Sequence, residues 1–194
     1  MPPLPSPDEN GMTGKINGKV LIDIARNAIA EEFGAARKPY PQENWLLQPA
    51  ATFVTLSENG NLRGCIGSLE AHRPLAEDVR QNAMYAAFRD PRFLPLTQDE
   101  FPRIQVEISL LTPPQPMSFI DEADALAQLK PGVDGVVFEY GRYRSTFLPQ
   151  VWESFVQPRE FLAMLKRKAG LPGDFWEEGV KLSRYTVTKW SEEH

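Results

Sequence analysis

Apolar residues recur at helical spacing near the start of the chain. Leu21, Ile24, Ala25, Ala28 and Ile29 lie three or four residues apart or adjacent, so they share one helix face. Order is expected to begin near Asn17. Gly34 is placed to stop this helix, because glycine accepts the left-handed backbone of a C′ residue. The period then changes to two. Thr52 to Leu56 is β-branched and aromatic, Asn59-Gly60 follows, and Asn61 to Leu69 reads as the return strand. Asn-Gly is the preferred pair for a two-residue type I′ turn. With those two as the turn, Glu58 pairs with Asn61, Leu56 faces Arg63 and Val54 faces Cys65. Alternation then puts Arg63, Cys65 and Gly67 on one face of the strand, and Leu62, Gly64 and Ile66 on the other.

A second helix is predicted next. Pro74 suits its first position, and Glu77 and Asp78 suit the positive end of its dipole. Leu75, Val79, Ala83 and Ala86 form its buried stripe, and Asp90-Pro91 ends it. Ile104, Val106, Ile108 and Leu110 alternate with Gln105, Glu107 and Ser109, as in a strand with one polar face. Pro113, Pro114 and Pro116 break that strand. A short helix is predicted from Glu122 to Leu129 with Asp121 as N-cap. Gly135 to Tyr140 and Tyr143 to Leu148 read as strands around a type II′ turn at Gly141-Arg142. Pro158 opens a last helix carrying Phe161, Leu162 and Leu165. Lys166, Arg167 and Lys168 fall in its last turn, and Gly170 and Pro172 close it. A final strand is predicted from Lys181 to Trp190. Mixed elements with two tight hairpins predict an α+β fold with a mixed, mainly antiparallel sheet flanked by helices. Residues 1 to 16 hold four prolines, two glycines and no apolar period. They read as a flexible tail before a single domain, residues 17 to 194.

Composition narrows the function classes. The chain has 194 residues, enough to bury a core without staples. Its one cysteine excludes an internal disulfide and a cysteine-rich zinc site. A net charge of −5 argues against a dedicated nucleic-acid binder. No apolar run approaches the length of a membrane span, and Met-Pro-Pro-Leu-Pro has neither the basic nor the apolar region of a signal peptide. A cytoplasmic protein is expected. The sequence has no phosphate-binding loop, dinucleotide fingerprint or serine-nucleophile elbow, and no cluster with metal-ligand spacing. It names no cofactor.

The most informative segment is Leu62-Arg63-Gly64-Cys65-Ile66-Gly67-Ser68. Glycine within a strand often marks a bulge or the close approach of a ligand or another backbone. Gly64 and Gly67 leave the Cys65 sulfur without large neighbours in its own strand. Arg63, on the same predicted face, would stabilise a thiolate. Cys65 is therefore the candidate catalytic residue, with Arg63, Gly64, Gly67 and Glu107 as candidate binding residues. The competing reading is a cysteine packed as a small hydrophobe, with the glycines relieving crowding. A nucleophilic cysteine needs a base. His72 follows the cysteine strand but reads as an exposed loop residue, and His194 is terminal. Glu107 could pair with Arg63 if their strands are neighbours. Asp90-Pro91-Arg92-Phe93 reads as a structural turn, the alternative being that Arg92 lines a cleft. Trp152, Phe155, Phe161 and Trp176 read as core packing rather than a platform for bases.

The hexapeptide Leu62-Arg63-Gly64-Cys65-Ile66-Gly67 resembles the signature of the AMMECR family, also called protein A of the AmmeMemoRadiSam system. The resemblance continues through Arg73-Pro74-Leu75, Asn82-Ala83, Ala86-Ala87-Phe88, Asp90-Pro91-Arg92-Phe93 and Pro95-Leu96. It runs on through Pro131 to Gly135, Thr146 to Trp152, Lys168 to Pro172 and Arg184-Tyr185, covering about Gly18 to Trp190 in order. It implies an α+β fold with a larger and a smaller lobe and a cleft near the cysteine strand. It also implies work alongside a Memo-like protein and a radical SAM protein, here as separate chains. It implies no known reaction. Two function classes follow: an enzyme or enzyme component using Cys65, or a non-catalytic adaptor whose cleft holds a small molecule or a peptide.

Overall fold

The helical period that begins at Leu21 becomes α1, Gly18–Glu32, in the computed structural model, which describes residues 16–192. The Asn17 side chain caps it by accepting from the Lys19 amide at 3.0 Å. At the other end Gly34 takes φ +88°. Its N–H donates to the Glu31 carbonyl and that of Ala35 to the Ala30 carbonyl, so the last orphan carbonyls are satisfied. The expected tail lies outside the described residues except for Ile16, which packs against the core.

Next come a one-turn helix α2, Asn44–Leu47, and a hairpin of β1, Pro49–Glu58, and β2, Asn61–Gly67. Asn59 and Gly60 both have positive φ, as a type I′ turn requires. The pair β3, Arg73–Pro74, precedes α3, Leu75–Phe88. Pro74 is the N-cap rather than the first helical residue. β4, Ile104–Leu111, β5, Gln115–Pro116, and α4, Glu122–Gln128, follow, with Asp121 capping α4 through the Asp124 amide. β6, Gly135–Tyr140, and β7, Tyr143–Phe147, form the second hairpin, in which Gly141 alone supplies a positive φ. A 3-10 turn, Pro149–Ser154, leads to α5, Pro158–Ala169, which ends on left-handed Gly170.

The predicted last strand is in fact two, β8, Lys181–Tyr185, and β9, Val187–Ser191, and they belong to different sheets. One sheet has the order β2-β1-β4-β9, with β3 also paired to β1. The other has the order β5-β8-β6-β7. The β1–β2, β1–β3, β5–β8, β6–β7 and β6–β8 pairings are antiparallel. The fold is α+β, as predicted. The chain divides into two compact units, one running to Leu110 and resuming at Thr188, the other Leu111–Val187.

In the first unit α1 and α3 press Leu21, Ala25, Ile29, Val79 and Ala83 onto Val54, Leu56, Val106 and Ile108 of the sheet. In the second, Phe161 stacks on Trp152 with ring centroids 3.7 Å apart and joins Phe138, Leu162, Leu165 and Leu182. The aromatic run is core, as the sequence predicts. Lys166, expected simply at the end of α5, is instead buried (1% exposed), where it pairs with Glu122 and lies over the Trp176 ring.

Candidate functional site

The hairpin that carries Cys65 is one residue out of the predicted register. Glu58 pairs with Asn61 and Ser57 with Leu62, but Leu56 then pairs with Gly64 and Thr55 with Cys65. Arg63 is the extra residue of a β-bulge. A bulge re-aims the side chain it carries and breaks the alternation of faces. Arg63 therefore does not belong to the simple face it is predicted to share with Cys65 and Gly67. Leu62, opposite Ser57, is separated from Gly64 in the same way.

The two glycines have separate causes. Gly64 is buried, and a Cβ there would overlap the Ala86 carbonyl oxygen of α3. Its absence lets strand and helix backbones meet. A Cβ on Gly67 would overlap the ring of Phe53, its partner across the hairpin. The face opposite the helices thus presents Phe53, Thr55 and Cys65, with the ring lying across Gly67.

Cys65 is partly buried. Its Sγ lies 3.3 Å from the Thr55 hydroxyl. Its backbone is held by the turn after α3. Asp90 Oδ2 accepts from the Cys65 N–H at 2.9 Å, and Arg92 Nη2 donates to the Cys65 carbonyl at 3.2 Å. Asp90 and Arg92 are themselves joined three times, the guanidinium by Nε to Oδ1 at 2.9 Å and Nη2 to Oδ2 at 2.6 Å, and the Arg92 amide to Oδ1 at 3.1 Å. Asp90 is only 4% exposed. The hydrogen-bonded Arg92 guanidinium, aided by the Cys65 and Arg92 amides, holds its carboxyl well below the usual carboxylate range despite burial. Arg92 is held charged in return, first by Asp90 and least by Cys65. The cation that holds the Cys65 backbone is thus Arg92.

Arg63 pairs elsewhere. Its guanidinium grips Glu100 in a fork, Nε to Oε1 at 2.8 Å and Nη2 to Oε2 at 3.1 Å, and also donates to the Leu94 carbonyl. The Arg63 hydrogen bonds, then the Thr97 amide, bring the Glu100 carboxyl down to about 2. The expected Arg63–Glu107 pair does not form, because β1 lies between β2 and β4. Glu107 meets Lys189 at 3.3 Å and Ser191 at 3.0 Å, both on β9.

The sequence matches the AMMECR1 family over residues 22–190. This chain belongs to the AMMECR1 family. It is 44% identical over 187 residues to protein MJ0810 of Methanocaldococcus jannaschii, covering 90% of each chain. A protein of Methanothermobacter thermautotrophicus is 38% identical over 185 residues, covering 91% of this chain and 94% of that one. The crystal structure of uncharacterized protein PH0010 from Pyrococcus horikoshii is similar with a TM-score of 0.77 at 36% identity, over 91% of this chain and 92% of that one. None of these names carries a function.

Within this AMMECR1 domain the structure brings Cys65, Gly64 and Gly67 together and leaves Arg63 and Glu107 in separate pairs. His72 is largely exposed and meets Glu70 at 3.2 Å. Among the described residues no group of three or more His, Cys, Asp or Glu is arranged to hold a metal. Residue-by-residue reading misses Asp90 as a partner of Cys65, and it misses a buried network around Asp78. Asp78 accepts from the Thr52 amide at 2.8 Å, the Thr52 hydroxyl at 2.7 Å, Ser68 at 2.8 Å, Arg73 at 2.8 Å and Asn82 at 3.1 Å. A signal is present, since positions 75, 78, 79, 82, 83 and 86 form one helical stripe. An open depression of about 1230 Å³ lined by Gly18, Arg26, Arg103, Trp190 and Glu192, among others, shares no lining residue with the Cys65 group. Its arginines are committed, Arg26 to Glu192 and Arg103 to Glu58.

Proposed function

We propose that this AMMECR1 domain is a cytosolic ligand-holding component that works beside Memo-like and radical SAM proteins, with Cys65 recognising rather than attacking. The observation that carries this reading is the commitment of the charged groups around the thiol. Asp90 is held by Arg92 and the Cys65 amide, and Glu100 by Arg63 and Thr97, while Glu107 lies two strands away on β4 and pairs with Lys189 and Ser191. The hydrogen-bond partner of Sγ is a hydroxyl, which is a poor base at neutral pH. The exposed part of the β1–β2 face offers the Phe53 ring as an apolar wall, Thr55 and Cys65 as weak polar contacts, and half-exposed Arg92 at the edge. That set suits a small molecule or a peptide side chain with one flat apolar part and one polar end.

The test is alkylation of the folded protein by iodoacetamide. Cys65 should react no faster at neutral pH than glutathione, and Cys65→Ser should bind the same partner proteins as the wild type in a pull-down with separately produced Memo-like and radical SAM proteins. A thiol that reacts far faster than glutathione would replace this reading with a nucleophilic one, for which a partly exposed sulfur on a residue whose carbonyl is bound by Arg92 is the observation in favour.

A further inference from the structure

β2 stands at the end of its sheet, so among the described residues one side of its backbone has no neighbouring strand. Which groups point outward follows from the ladder. Ser68 N–H donates inward to the Thr52 carbonyl at 2.8 Å. Inward groups recur every second residue in an antiparallel pair, so Ile66 and Gly64 turn toward β1 while Cys65 and Gly67 turn their N–H and C=O outward. An open strand edge is a template for pairing with another chain, and proteins blunt it with charges, prolines or bulges. β2 contains no proline and one charged residue, Arg63, which is already bound to Glu100.

At the outward-facing Cys65 the edge is covered. Asp90 offers an acceptor to its N–H, and Arg92 a donor to its C=O, the two hydrogen bonds that a residue of a neighbouring strand would make. We propose that the Asp90–Arg92 unit is an edge guard that prevents β2 from pairing with β2 of a second copy of this chain. An antiparallel strand pair centred on Cys65 is self-complementary. Each Cys65 would exchange both hydrogen bonds with its counterpart, in place of those it makes to the guard. The inference is independent of the ligand the β1–β2 face takes.

The test uses Arg92→Ala in the full chain, followed by sedimentation velocity across a range of concentrations. Losing one competing hydrogen bond should tighten self-association about tenfold relative to wild type. Because Cys65 is the sole cysteine, mild oxidation by copper phenanthroline should then trap a disulfide-linked dimer of the variant well ahead of wild type. A folded variant that stays as monomeric as wild type overturns the guard. So does a dimer that yields no Cys65–Cys65 link, since its interface would lie elsewhere. Arg92→Lys keeps the charge beside Asp90 but cannot fork to the Cys65 carbonyl. It should self-associate in the same way, and it takes the place of the alanine variant if that one does not fold.

Discussion

Two buried aspartates stand at the two ends of α3, one within its first turns and one just past its last, and their hydrogen bonds are met in contrasting ways. Asp78, in the first turns, is fully buried and gathers donors from β1, from Ser68 after β2, from β3 and from its own helix. Asp90, just past the helix end, takes most of its hydrogen bonds from Arg92 two residues on, and reaches out only to Cys65. The first carboxylate closes long loops and joins four pieces of chain. The second belongs to a short loop whose closure costs little entropy, so it can assemble locally and then seat on the strand as a unit. Burial alone therefore does not tell what an aspartate does. The sequence distance to its donors does: Asp78 fixes the hairpin to the helix, while Asp90 conditions a single residue, Cys65.

Asp78→Ala should produce the largest loss. It removes the carboxylate from Arg73 and the acceptor of both the Thr52 amide and the Thr52 hydroxyl, a cost of about 3–5 kcal/mol by chemical denaturation. A change below about 1 kcal/mol would remove the distinction between the two sites. A smaller effect is expected at the Arg63–Glu100 fork, which is partly buried. A double-mutant cycle with Arg63→Gln and Glu100→Gln should give a coupling of about 1–2 kcal/mol. The same cycle between Arg63 and Glu107 should be additive within about 0.5 kcal/mol.

The smallest effect is the pH dependence of that fork. The Glu100 carboxyl in the folded protein sits at about 2, below the ordinary glutamate value of roughly 4.3. Its contribution is therefore complete above the unfolded value and is lost as pH falls through the folded one. The stability gap between wild type and Glu100→Gln should stay constant near neutrality and close between about pH 5 and pH 2. A gap that persists in acid would show that packing, not charge, underlies it.

Local chemistry in the sequence suffices wherever the structure is local. Asn59-Gly60 and Gly141 make the turns their backbones favour, and Asp121 and Gly170 begin and end their helices as expected. The α3 stripe is legible too, though the charge of Asp78 points to the helix dipole while its position places it inside. The bulge at Arg63 is only half legible: Gly64 beside it signals a bulge or a close approach, and it is the close approach of α3 that Gly64 itself serves, so the register shift at Arg63 cannot be placed. The polar face of β4 is legible, yet the partner of Glu107 depends on which strand lies beside which, and alternation within a strand carries no such information. Lys181 to Trp190 keeps a strand-like character through Thr186, so its period cannot reveal the change of sheet there.

That change of sheet has a consequence for the order in which the molecule can be completed during synthesis. The smaller unit, Leu111–Val187, is continuous in sequence and has its whole core once Val187 has left the ribosome. The larger unit, although its helices and hairpin emerge first, lacks β9 until after that point. Until then β4 has an open side, and Arg26 has no Glu192 to grip. β9 thus acts as a latch on what was made earliest, and the unit that carries Cys65, begun first, is finished after its neighbour.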